Sequence, residues 1–486
     1  MGTEEETMLM TGPSLSEMEA PTGFLRKFPA FIPERIKRVH GRVKDESFFL
    51  QNGALVYRDQ ALFERATPEC LSPYETSVYL QSSENLMVDM LGRYVMSSAT
   101  SGTPMQARMQ RRVVDSFGNT CGSHDNFELR DEAWVRELEH NVVFKGLLLK
   151  HLASRSFMTG AGYVYSGASK KPGRICFAQK VQSITDIDDY GYSNTACRIV
   201  PDDEVGYRME IRCNDINISP WATQVRLGGM ALVLMLAQTP LANEAAGKLY
   251  QKDATYLQMF REFNRAKVDP DGQLHASTGV LESVDTQERI IDVMENGLRK
   301  YVDIPADYDL LLSEMQEYCD DFRRVLHGQD DLKILTDRSD FAVKLDAIRS
   351  SIADDKRFGI PRHPHDVLSR FKDLKYDHIA VSTDESGKSV VRKGYGYKHR
   401  DKGGFRLPHK AADVERSYSL PPTGTRAAIR GEMIRQDMLN RSWWSKPFIE
   451  GSTSVAADTD YGPVVLQDTS LTAERLHHVI NNTACK

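Results

Sequence analysis

The sequence predicts an α+β protein with a mostly antiparallel sheet, and three observations carry that expectation. Extended runs (54–59, 120–129, 174–180 and 206–219) alternate with helical ones (76–95, 132–157 and 221–240) without a strict βαβ rhythm, which argues against a doubly wound parallel sheet. From 243 to 358 the pattern turns helical: YLQMFREFNRA, TQERIIDVMENGLRKYV and DLLLSEMQEYCDDFRRVL repeat apolar residues every three or four positions. A length of 486 residues admits two or three domains, or one large domain with an appendage. We place a large domain at 1–419 and a small C-terminal one at 420–486, divided near Pro421 and Pro422.

Composition narrows the class. Charged residues at 27% and apolar ones at 41% are ordinary for a globular protein, and a net charge of -6 gives no reason to expect nucleic acid or an anionic membrane as partner. The seven cysteines are scattered with no C-x-x-C spacing, which favours reduced thiols in a cytoplasmic protein over disulfides or zinc. The most apolar stretch, 227–242, is too short and too interrupted to cross a bilayer and reads as a buried helix. VSTDESGKSVVRKGYGYKHRDKGGF (381–405), basic and glycine-rich, reads as a mobile loop.

Taken in order, several extended segments present polar side chains at spacing two, hence on one face. They are Glu4 and Glu6 in GTEEET, Tyr57 and Asp59 in NGALVYRD, His124 and Asn126 in GSHDNFEL, and Asp215 and Asn217 in CNDINIS. Converging on one sheet face, these oxygen and imidazole donors suit Mg²⁺ or Mn²⁺ with a phosphorylated substrate, with Asp59 as a base and helical arginines facing phosphate. Taken singly, each has a plain structural explanation. Acidic pairs at a chain start usually face solvent, a lone histidine is usually a satisfied structural one, and Asp and Asn favour strand ends. Arg426 and Arg430, four apart, would ordinarily mark a solvated helix face, and Trp443 and Trp444 a core or interface. No glycine-rich stretch matches a phosphate-loop or dinucleotide fingerprint.

The ordered set of segments resembles the family of Pup ligases and Pup deamidases (depupylases), enzymes of the prokaryotic ubiquitin-like protein system. Matching stretches are GTEEET, NGALVYRD, ERATPE, TCGSHDNF, SRSFMTGAG, CNDINISP, VRLGGMALVL, DLKYDHI and PPTGTRAAIRG, collinear from residue 2 to about 435. The resemblance implies a glutamine-synthetase-like sheet cradle packed on helices that binds ATP and Mg²⁺. It implies Pup or a Pup-like tail as partner, with lysine-bearing proteins as acceptors. By resemblance Glu4, Glu6, Tyr57 and Glu69 fall on metal positions and Asp59 on the catalytic aspartate. His124, Asn126, Arg155, Asp215, Asn217, Arg426 and Arg430 fall on nucleotide or phosphate positions. The family's H-P-E is here Leu62-Phe63-Glu64, its N-T-R-D-E-P-H reduces to Asn194-Thr195 followed by ACRIV, a lysine becomes Arg226, and a tryptophan becomes Phe341. The first two motifs lie about 45 residues apart, a ligase-like spacing without the deamidase insertion. The expected reaction is therefore the ligase's, with the deamidase or depupylase reaction, a non-catalytic paralogue, or a ligase of another substrate as alternatives.

Overall fold

The computed structural model describes residues 1–13, 22–41, 47–59, 62–102, 105–111, 122–129, 140–164, 174–187, 195–202, 206–250, 252–269, 271–275, 277–357, 376–435, 441–442, 455–459 and 462–466. Its strands in chain order begin β1 (Gly2–Gly12), β2 (Arg38–Gly41), β3 (Ser47–Leu50), β4 (Leu55–Asp59), β5 (Leu62–Ala66), β6 (Gln106–Gln110) and β7 (Ser123–Leu129). There follow β8 (Tyr163–Val164), β9 (Arg174–Cys176), β10 (Cys197–Asp202), β11 (Gly206–Asn214), β12 (Arg265–Val268), β13 (Leu274–His275), β14 (His378–Thr383) and β15 (Ser389–Lys393). The described part of the large sheet runs β10-β11-β7-β1-β5-β4-β3-β2, with β6, β14 and β15 attached along the second half of β1. All of these pairings are antiparallel, as expected. Beyond β2 lie Arg441–Ser442, Val455–Thr459 and Gly462–Leu466, the first of them parallel to β2. A second, four-stranded sheet runs β13-β12-β9-β8.

The strands of the large sheet divide their side chains by parity. On β1 the burial alternates residue by residue, so Thr3, Glu5, Thr7 and Leu9 go under the sheet while Glu4 and Glu6 stay on the open face. Underneath, Leu9, Val56 and Phe63 pack with Met87, Met90 and Leu91 of the helix Pro73–Thr100. That helix starts where the sequence says it should: the Ser72 hydroxyl accepts from Glu75 N–H, and Pro73 occupies the first turn. A larger core under β7 and β11 takes in Phe127, Met209 and Ile211 and the helices Val142–Ser154, Pro220–Ala237, Thr278–Gly297 and Ala306–Leu326. Pro220–Ala237 is buried nearly all round, which explains its unbroken apolar run. Among the described residues no helix is long and apolar enough to cross a membrane.

Two expectations need correction. Residues 381–405 are no loop: β14 and β15 form a hairpin, followed by the helix Tyr395–Asp401, because Val381 and Tyr397 anchor the stretch in the core and Arg400 pairs with the buried Glu84 beneath it, while Lys388, Arg392 and Lys398 are exposed. The run 174–180 is only briefly extended, giving way after Cys176 to the helix Gln179–Ser183. Trp443 and Trp444 lie outside the described residues.

Candidate active site on the open face of the sheet

Register assembles the site. Glu6 lies opposite Glu64, and Glu64 opposite Tyr57, so β1, β5 and β4 place two carboxylates and a phenol in one lateral row. One pleat along β4, on the same face, Asp59 stands opposite Leu62. Glu4 lies opposite His124 on β7, and Asn126 opposite Glu210 on β11. The Tyr57 hydroxyl donates to Glu64 and lies 3.5 Å from Glu4 Oε2. His124 Nδ1 is 3.3 Å from Glu210 Oε1 and 4.0 Å from Glu4 Oε2, while its Nε2 is 4.0 Å from Glu6 Oε1.

The electrostatics match an acid-rich cleft. Burial, then the Glu4 charge, pushes the Glu64 carboxyl up to about 9, only partly opposed by the Tyr57 hydrogen bond. Burial also raises Glu6, although Lys180 and the Gly122 N–H, 2.6 Å from Glu6 Oε2, pull the other way. The Tyr57 phenol is driven well above its usual range by burial and by Glu4 and Glu64. Burial holds His124 down to about 3 despite Glu210. Among the described residues no three His, Cys, Asp or Glu side chains converge closely enough to cage a cation alone. The cation such a face could take, with water and substrate phosphate completing its shell, is Mg²⁺. The donor set, hard oxygens with one imidazole and no thiol, fits it.

The sequence-expected residues sort into three groups. Glu4, Glu6, Tyr57, Asp59, His124 and Asn126 share the open face. Glu69, expected as a metal ligand, is paired with arginines: Arg430 Nη2 lies 2.7 Å and Arg426 Nε 3.7 Å from its oxygens, and although burial works to raise its carboxyl, the two cations together hold it below the usual range. The carboxylate beside Tyr57 is Glu64 instead. Only Gln60 and Ala61 separate β4 from β5, and a two-residue connection sets 57 against 64; that signal was present in the sequence. Arg426 and Arg430 sit on the helix Arg426–Arg435, which docks against the β3–β4 turn. Gly53 (φ 81) and Gly431 permit this, since a Cβ on Gly53 would come within 2.7 Å of the Ala427 Cβ, and one on Gly431 within 2.4 Å of the Gln51 carbonyl oxygen. Arg430 also donates to the Gly53 carbonyl (2.9 Å) and covers Phe49, so it is a brace, whereas Arg426 keeps partial exposure and reaches toward Glu128.

Arg155, Asp215 and Asn217 are framework rather than phosphate ligands. All three are buried. Arg155 donates to the Arg226 carbonyl and to Asn214 Oδ1; Asp215 accepts from the N–H groups of Ala161, Gln179 and Lys180; Asn217 donates to the Thr159 carbonyl and to Asp340. Their polar capacity is spent on holding β11 to its neighbours. Arg226, likewise buried, lies 3.1 Å from Asp125, and Phe341 packs edge-on against Phe177. Sequence reasoning missed Glu210 and the arginines Arg198, Arg208 and Arg212 that surround it.

Fold and site together define an α+β protein with a large, mostly antiparallel sheet whose open face carries clustered carboxylates. The sequence model of the Pup-ligase protein family matches residues 16–445, and the chain belongs to that family. It is 26% identical over 419 residues to a Pup–protein ligase of Acidimicrobium ferrooxidans, covering 82% of each chain. It is 24% identical over 433 residues to a Pup deamidase/depupylase of Mycobacterium tuberculosis, covering 84% of this chain and 76% of that one. A crystal structure of Pup in complex with its ligase PafA superposes with a TM-score of 0.73 at 18% identity, covering 100% of this chain and 92% of that one. PafA in complex with ADP gives 0.65 at 16%, covering 91% of both.

Proposed function

We propose that the protein is an ATP- and Mg²⁺-dependent ligase that joins the C-terminal glutamate of Pup, or of a Pup-like tail, to a lysine amine of an acceptor protein. The row Glu6–Glu64–Tyr57 with Asp59 one pleat further supports this most directly, because it sets a carboxylate base beside a hard-oxygen cation site. Glu4, Glu6, Glu64 and Tyr57, with His124 at their side, would hold Mg²⁺. Bound there, Mg²⁺ would supply positive charge against the negative charge of phosphoryl transfer from ATP to the side-chain oxygen of the C-terminal glutamate. Asp59 takes the proton from the attacking lysine amine as the new C–N bond forms and phosphate leaves. Tyr57 and His124 orient the carboxylates, and Arg426 borders the same face near Glu69 and Glu128.

A cytoplasmic location and a separate C-terminal unit from about residue 420 belong to this reading as well; the helix Arg426–Arg435 would join that unit to the cradle. The second reading is hydrolysis of a C-terminal glutamine or of the isopeptide, supported by the depupylase among the relatives. ADP release with a lysine-bearing acceptor and Pup-type peptides ending in glutamate or glutamine separates the two. Release that requires the glutamate form supports the ligase, and conversion of the glutamine form without ADP release replaces it with the hydrolase.

A further inference from the structure

Beside the row Glu6–Glu64–Tyr57 stands a second row of different character. Two residues on from Glu6 along β1 is Met8, two back from Glu64 along β5 is Leu62, and two on from Tyr57 along β4 is Asp59. Thr7 lies opposite Phe63 and Leu62 opposite Asp59, so all three steps run in the same direction and end on the same open face. The first row reads acid, acid, phenol; the second reads methionine, leucine, acid. Met8, Leu62 and Asp59 are each partly exposed, whereas Thr7, Leu9 and Phe63, at the opposite parity, are buried beneath the sheet. Met10, one pleat further along β1 and also partly exposed, continues the apolar line. Among the described residues, Met8, Met10 and Leu62 join neither hydrophobic core.

The two rows divide the chemistry between them. Phosphoryl oxygens on the activated glutamate belong at the hard-oxygen row, where a cation would meet them. An attacking amine has to arrive beside the base, and the base stands in the second row. Its stem therefore lies across Leu62 and Met8. A lysine carries a four-carbon stem under one amine, and such a stem gains by lying along apolar surface. Its amine attacks only when neutral, and an apolar neighbour shifts it toward that state.

We infer that Leu62 and Met8 form the wall along which the methylene stem of the acceptor's lysine reaches Asp59, so that this pair selects the length of the incoming amine. The wall rests on the ligase reading and deepens it by naming what this chain recognises in its acceptor, a primary amine on a long, unbranched apolar stem. Leu62 shares the ladder position of Asp59 and meets the amine end, while Met8, one strand away, meets the stem further out. A methionine suits the outer place, because its flexible thioether adapts to stems arriving from differently shaped surfaces.

Initial rates of ADP release test it, with Mg-ATP and a Pup-type peptide ending in glutamate both saturating and the nucleophile varied. The nucleophiles are one acceptor peptide carrying lysine, ornithine or 2,4-diaminobutyrate at a single position, and hydroxylamine, which has no stem and gives the hydroxamate. Expected for wild type is a kcat/KM that falls roughly fourfold for each methylene removed from the lysine. Leu62→Gln should cut the ratio of lysine to hydroxylamine kcat/KM by about tenfold and Met8→Gln by about threefold, whereas Leu62→Met should keep at least about half of it. Met8→Gln and the ornithine series keep the test decisive if Leu62→Gln folds poorly. Equal losses for lysine and hydroxylamine would overturn the wall while leaving the ligase reading intact. So would a change confined to the KM of the glutamate peptide, which would assign the pair to the tail instead. A wild-type protein that releases no ADP with any of these nucleophiles would remove the ligase reading, and the wall with it.

Discussion

Strand β1 carries three glutamates in succession, and its two faces treat them oppositely. Glu5 points under the sheet, where Arg65 lies 2.8 Å and Arg111 3.2 Å from its oxygen, and the network continues from Arg111 to Glu84 (2.6 Å) and from Glu84 to Arg400 (2.6 Å). Burial alone would raise the Glu84 carboxyl, but Arg111 and then Arg400 hold it down to about 2. Glu4 and Glu6 point the other way, toward Glu64 and Tyr57, where the neighbouring carboxyl is pushed up to about 9. Below the sheet each acid has been given cations and the charge serves the fold. Above it acids are crowded against acids, an arrangement that costs stability and makes sense when a cation is to be bound there.

Changing the buried side should hit hardest. Replacing Glu5 by Gln leaves Arg65 and Arg111 short of a charge in a site with almost no water, and should lower unfolding stability in urea by about 3–5 kcal/mol. A loss below about 1 kcal/mol would mean that the two faces do not differ as described. On the open face the order reverses. Asp59→Asn should preserve the fold and Mg²⁺-dependent nucleotide binding while lowering turnover by roughly 10²- to 10⁴-fold, the range of a lost general base, as read by ADP release. Glu64→Ala should leave thermal stability equal to or above wild type without Mg²⁺ and weaken Mg²⁺-dependent nucleotide binding by at least about tenfold, whereas Glu69→Gln should chiefly loosen the Arg426–Arg435 helix. An equal Mg²⁺ defect in both variants would restore Glu69 to the cation site.

The pH dependence is the smallest effect. His409, bonded to Ser77 at 2.6 Å, is held down to about 3 by burial and then by Arg400. Between its ordinary value of 6.5 and 3 the unfolded chain takes up a proton that the folded one refuses, so stability is full above pH 6.5 and falls as the pH drops through that window. Urea midpoints measured from pH 7.5 to 5 should decline, and His409→Gln should remove up to about 1.4 kcal/mol per pH unit of that slope. Glu84 adds its own loss only lower, as pH falls from 4.5 toward 2.

The pairing of Glu4 with Glu6 and of Tyr57 with Asp59 was legible because strand parity is a local property. The antiparallel sheet and the buried 220–237 helix were legible for the same reason. What could not be read was partnership. Asp215 and Asn217 show the spacing of a ligand pair, yet their oxygens and amide are consumed by backbone groups and by Asp340, and nothing in a polar residue's type distinguishes a satisfied buried group from a waiting one. Glu69, a metal position by resemblance, is paired with Arg430, and the carboxylate opposite Tyr57 is Glu64, a matter of register that no single motif states. Leu62 is a further case: register sets its apolar side chain opposite Asp59, which the spacing of polar residues along β4 alone does not reveal.

The most direct measurement is intact-mass spectrometry of the protein incubated with Mg-ATP, a lysine-bearing acceptor and a Pup-type peptide ending in glutamate, run beside Asp59→Asn. The ligase reading predicts an acceptor mass increased by that of the peptide less one water, with ADP formed and the product absent from the variant. An unmodified acceptor, with a glutamine-ending peptide converted to glutamate and no ATP consumed, would contradict it.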